Sequence, residues 1–149
     1  MRETMTETLR QAIDDAQIEA RALNQEFVST DHLLMGLVRC PTCEAARSMQ
    51  QTHVNVQALR SAMTNELPRG EQPPVITGNL PLSPKAQRAI NAAIAKAQAL
   101  RESHVSTRFL LLALLDEPES LLRQSIAKCG GDAEELTRAV VAKAAEPEA

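Results

Sequence analysis

The sequence predicts an all-α fold made of two tandem four-helix repeats packed with approximate two-fold symmetry. Three observations carry this. The apolar share is 44%, drawn mainly from Ala and Leu, with only Phe27 and Phe109 as aromatics. Helices favour such residues, whereas strands draw on aromatic and β-branched side chains. A shift of 77 residues aligns positions 5–64 with 82–141 without a gap, so the chain is written twice. Within each copy apolar residues recur at steps of three and four, the period of one helix face.

The first helix of each copy comes from the longest of these patterns. Leu9, Ala12, Ile13, Ala16, Ala20 and Leu23 form one stripe, and Ala86, Ala89, Ile90, Ala93, Ala97 and Leu100 repeat it. Ser83 followed by Pro84 reads as an N-cap and first helical position, with Thr6 as the matching cap. These helices are placed at 6–23 and 83–101. The second follows Val28-Ser29-Thr30 and Val105-Ser106-Thr107, whose hydroxyls suit the first turn of leucine-rich runs at 30–39 and 107–115. Pro41 and Pro118 mark the joint to a third helix at 43–52 and 119–128. Asn55 and Asp132 cap a fourth at 56–67 and 133–144; Glu135 stands at capping-box spacing from Asp132, and Gly130-Gly131 can supply a left-handed stop before it.

The organisation follows: repeat one at 5–67, a linker at 68–82, repeat two at 83–144 and a frayed acidic tail at 145–149, together one domain over 1–149. The linker holds four prolines and cannot continue a helix; its apolar "PPVITG" is expected to dock along a groove between the copies.

Composition excludes several functions. The net charge of −3 gives no basic footprint for nucleic acid, and the near absence of aromatics removes a base-stacking platform. No apolar run approaches the ~18 residues of a membrane span, and the N-terminus carries acids where a signal peptide is apolar. Three cysteines, an odd number, fit a reducing compartment, so a cytoplasmic location is expected.

The doubled pattern of a long helix, a small residue, Thr, an acid, His and a leucine-rich run resembles the Clp N-terminal (Clp repeat) domain. "ARALNQEFVSTDHLLMGLV" is similar to that family's signature, and "NLPLSPKAQRAINAAIAKAQAL" to its entry into the second repeat, most like the ClpC branch. The resemblance spans about 5–141. It implies a non-enzymatic module that docks adaptors or substrates for a Clp ATPase, with partners that include phosphoarginine-bearing proteins. None of the five glycines opens a G-x-x-x-x-G-K-[ST] phosphate loop, so a stand-alone N-domain without ATPase modules, and without a cofactor, is expected. Capture of peptide antibiotics that target Clp N-domains is a decoy function open to the same surface.

The candidate ligand-binding residues are Thr30, Asp31, Thr107 and Arg108. The resemblance implies that the acid of the Thr-acid-His signature accepts a phosphoarginine guanidinium, as a carboxylate can. The first copy keeps Asp31; the second has Arg108, which would repel a guanidinium and is expected to be solvated. The bland reading of Asp31 is an acid in the first helical turn, stabilised there by about 0.3–1 kcal/mol. Ser29, Thr30, Asp31 and His32 are sequence neighbours and cannot converge as a catalytic triad. His32 corresponds to Phe109, so a packed ring is expected there. Met35, Met49 and Met63 read as core.

Cys40 and Cys43 form a C-x-x-C pair. It suggests an alternative function as a thiol couple or half a zinc site, which would need His53 and Cys129 to complete it. The second copy has Glu117 and Ser120 there, so the fold does not require the pair.

Overall fold

The computed structural model describes residues 4–117, 120–142 and 147–149. These hold eight helices and no strand: α1 (Glu7–Ala22), α2 (Thr30–Val38), α3 (Glu44–Gln51), α4 (Val56–Glu66), α5 (Pro84–Ala99), α6 (Thr107–Leu115), α7 (Leu121–Lys128) and α8 (Ala133–Val141). Every expected helix is present, with ends within two or three residues of those read from the sequence. Pro118, and Lys143 to Glu146 of the expected last helix and tail, lie outside the described residues.

Most caps form as expected. Thr6, Ser83 and Asn55 each accept a hydrogen bond from the backbone N–H three residues on. Asp132 caps α8 through the Glu134 N–H, one residue short of capping-box geometry. At Ser29 the box is completed by His32: the Ser29 N–H donates to His32 Nδ1 at 2.9 Å, and the His32 N–H points to Ser29 Oγ. Ser106 departs from its counterpart. It stands at the N-cap of α6 with no capping bond, because its hydroxyl donates to the Glu44 carboxylate instead.

The two-fold relation is visible in the backbone. Met5 bridges to Val105 and Leu82 to Val28, and each pair maps onto the other under the 77-residue shift. The Thr6 N–H donates to Val105 O (2.9 Å) as the Ser83 N–H donates to Val28 O (2.8 Å). The left-handed residues match too: Asn24 (φ 54°) with Arg101 (φ 57°), and His53 (φ 63°) with Gly130 (φ 79°). Each copy therefore hooks the entry of its own first helix onto the strand-like residue before the other copy's second helix.

The core is built around α2 and α6. Every residue of α6 is buried, as is α2 from His32 to Val38. Helices apolar on all sides sit at the centre of a fold. Leu33, Leu37, Leu110, Leu111, Phe109 and all three expected methionines are at most 1% exposed. Gly36 lets α1 approach closely: a Cβ there would lie 2.1 Å from Ala12 O.

The linker behaves differently from expectation. It runs along α1, not between the copies. Gln17 exchanges hydrogen bonds with both backbone groups of Leu80 (2.9 and 2.7 Å), and Arg21 donates to Ile76 O and Gly78 O. Val75 is 84% exposed. The reason is that α1 offers long polar side chains, Gln17 and Arg21, that pair with the carbonyls of Ile76, Gly78 and Leu80 and with the Leu80 N–H, backbone groups that no helix or strand of the linker satisfies.

Candidate functional site

The interface between the copies leaves two clefts at related positions. Each lies where the first helix of one copy meets the start of the second helix of the other. The candidate residues are divided between them: Thr30 and Asp31 line one, Arg108 lines the other, and Thr107 reaches it through its first-turn N–H and hydroxyl.

The first cleft, about 180 Å³, runs between α2, α5 and α6. Its floor is apolar, with Leu34, Ala89, Ala92, Leu114 and Leu122. Its rim is charged, with Asp31, Lys85, Arg88, Asp116 and Glu117. Lys85 stands 4.0 Å from Glu117 across the opening. Asp31 is half-buried, and its carboxyl pKa is raised by loss of hydration, against the opposing pull of the Lys85 ammonium.

The second cleft, about 490 Å³, lies between α1, α3 and α6. Arg108 is buried there, not solvated. Its guanidinium faces Glu44 (3.7 Å) and Glu102 (3.3 Å), donates to Val140 O (3.1 Å) and lies 4.4 Å from the Phe109 ring centroid. Two carboxylates, a carbonyl and a ring face compensate a cation that is otherwise misplaced at a helix start. Glu44 and Glu102 were missed from sequence because neither occupies a repeated or motif position.

Residues 147–149 are seated in this second cleft and are not frayed. Glu148 Oε1 accepts from the Glu44 N–H (3.0 Å) and Thr107 Oγ1 (2.5 Å). Its Oε2 accepts from the Thr107 N–H (2.9 Å) and Thr6 Oγ1 (2.6 Å). Ala149 O accepts from both the N–H and the hydroxyl of Thr8, each at 3.0 Å. The first turns of α1, α3 and α6 thus converge on one short acidic segment. First-turn N–H groups lack intrahelical acceptors, so they serve anions well. No sequence signal marks Glu148, since its contacts span 41, 104 and 142 residues.

His32 is a packed ring, 4% exposed. Burial lowers its pKa, and Nδ1 is used as an acceptor from Ser29 N–H, so the ring is held neutral with its proton on Nε2. Cys43 is the N-cap of α3: its sulfur accepts from the Ala46 N–H (3.3 Å) and donates toward Cys40 O (3.4 Å) and Leu37 O (3.6 Å). Burial pushes its thiol up to about 11, the reverse of what a reactive thiolate or zinc ligand needs. Among the described residues no cluster of three or more His, Cys, Asp or Glu could hold a metal. No helix among them is long and apolar enough to cross a membrane.

The family model of the Clp repeat (R) N-terminal domain matches residues 4–108 and 82–148. Chaperone protein ClpC1, chloroplastic, of Arabidopsis thaliana is 28% identical over 141 residues, covering 95% of this chain and 15% of the relative. The chain therefore spans about a sixth of the length of the curated relatives it matches. The N-terminal domain of Hsp104 from Candida albicans superposes with a TM-score of 0.78 at 15% identity, over 93% of this chain and 89% of that one. The N-terminal domain of ClpD from Arabidopsis thaliana gives 0.73 at 21% identity, over 93% of each. A complex of the ClpV N-domain with VipB peptide gives 0.72 at 14% identity, over 97% and 91%.

Proposed function

Because the chain belongs to the Clp repeat (R) N-terminal domain family, we propose that it is a non-enzymatic docking module of a Clp chaperone–protease system, binding an adaptor, a substrate or a Clp ATPase. The observation that carries this is the cleft between α2, α5 and α6. An apolar floor ringed by charges of both signs fits a peptide segment that presents an apolar side chain between polar neighbours. Thr30 and Asp31 form one edge of that groove, and a Clp-related N-domain that shares this fold has been captured with a peptide. Asp31 is the residue to which a cationic or guanidinium-bearing side chain of the partner would bind, phosphoarginine included. Thr107 and Arg108 belong to the other cleft, where Arg108 already has carboxylate partners.

The test is retention of purified Clp ATPase, adaptor or substrate proteins on the immobilised chain, followed by titration with a phosphoarginine peptide against wild type and Asp31→Ala. Retention of a Clp protein is expected, lost or weakened by Ala92→Glu at a partly exposed position of the groove floor. Equal peptide binding by wild type and Asp31→Ala removes Asp31 from the groove, and failure to retain any Clp protein sinks the proposal.

A further inference from the structure

We propose that the cleft between α1, α3 and α6 is a receptor for the carboxylate of an acidic peptide segment, and that residues 147–149 occupy it in cis. A partner segment of the same chemistry must then displace them. This concerns a different surface from the docking groove and stands on separate contacts.

Two buried threonine hydroxyls define the ligand's chemistry. Thr107 is fully buried, and its Oγ1 already accepts from the Ala45 N–H at 3.1 Å. Thr6 is 8% exposed, and its Oγ1 already accepts from the Leu9 N–H at 3.0 Å. With each oxygen committed as acceptor, each hydroxyl has its proton left to donate, and both protons meet the Glu148 carboxylate. Two further donors, the Glu44 and Thr107 N–H groups, meet the same two oxygens. Four donors converge on one group, so the site accepts an ionised carboxylate and discriminates against an amide, whose NH2 would face a donor.

Withdrawal of the tail would leave the Thr107 hydroxyl buried with its proton unpaired, a state that favours capture of another acceptor. The main chain is read as well, since Ala149 O takes both donors of Thr8. Arg108 makes the arrangement tolerable by facing the Glu44 carboxylate, which would otherwise repel the ligand. The cavity beside the seated segment, lined by Arg10, Ser103 and His104 among others, leaves room for flanking residues of a longer peptide.

The experiment uses the full chain and its Glu148→Ala and Glu148→Gln variants, each checked for native circular dichroism. The probe is a fluorescent peptide with the sequence of residues 145–149, Ala-Glu-Pro-Glu-Ala, capped at both ends. Both variants are expected to bind it at least tenfold more tightly than wild type. A peptide with Gln for its second Glu is expected to bind them at least tenfold more weakly, and Thr6→Val in the Glu148→Ala background to weaken binding severalfold. The amide resonances of Glu44 and Thr107 should shift in Glu148→Ala and return on saturation with the Glu peptide. Equal binding by wild type and the variants overturns tethered occupancy. Folded variants that bind nothing, or that bind Gln and Glu peptides alike, overturn the receptor.

Discussion

Glu44 and Arg108 face each other across the contact of α3 with α6, with 3.7 Å between Glu44 Oε2 and Arg108 Nε and both side chains more than 90% buried. A charge pair out of water is costly to break from one side, since the survivor stays desolvated. Arg108→Met should destabilise the protein by about 3–5 kcal/mol, and Glu44→Gln in the same chain should restore part of the loss. Urea unfolding of the two single variants and the double variant measures the coupling. Additive losses would show that the two residues act independently.

Protonation of His32 removes the acceptor at Nδ1 that completes the α2 cap. Its folded pKa lies below the ordinary 6.5, so the unfolded chain binds the extra proton first as pH falls. Its contribution is therefore complete above about pH 6.5 and is lost progressively below it. Unfolding free energies between pH 5 and 8 should show this slope, and His32→Phe, the residue of the second copy, should flatten it.

Gly36→Ala should be far more damaging than an exposed helical substitution. The added Cβ would meet Ala12 O at 2.1 Å, which α1 must move to relieve. A loss of about 1–3 kcal/mol or more is expected from overpacking. Ala113→Gly at the matching position of α6 should cost only about 1 kcal/mol, the helix-propensity difference. Thermal denaturation of both compares them directly.

Cys43 should resist thiol reagents in the native protein at pH 8, being 1% exposed with its thiol held up near 11. Cys40 and Cys129, partly exposed, should react. Mass spectrometry after alkylation, with and without denaturant, counts two sites against three. Native labelling of Cys43 would reopen the thiol reading of the Cys40–Cys43 pair.

Local and repeated features were legible in the sequence. Helix period, cap residues and the 77-residue shift identify all eight helices, because each depends on neighbours three or four residues away or on its own copy. The charged network was not. Arg108 looks solvated from its immediate context, since one of the two acids that face it, Glu44, is 64 positions away, and the other, Glu102, precedes the helix outside any repeated pattern. Ser106 looks like a copy of Ser29, yet the same distant carboxylate takes its hydroxyl away from the helix. The linker's apolar letters suggested burial, but its backbone needs decided its path along Gln17 and Arg21. The Glu148 contacts are equally nonlocal, so a short acidic segment carries no pattern to announce them.

The reciprocal bridges of Met5 with Val105 and Leu82 with Val28 have the symmetry of a domain-swapped pair. Each half completes its partner's core entrance, so neither half holds its own hook when separated. Heat or denaturant should accordingly melt both halves in one transition, with no state in which one copy survives alone. Two separately produced halves should regain structure only on mixing. The chain is, in effect, a two-fold dimer written as one polypeptide, in which one copy has an acid at the start of its central helix and the other a buried arginine.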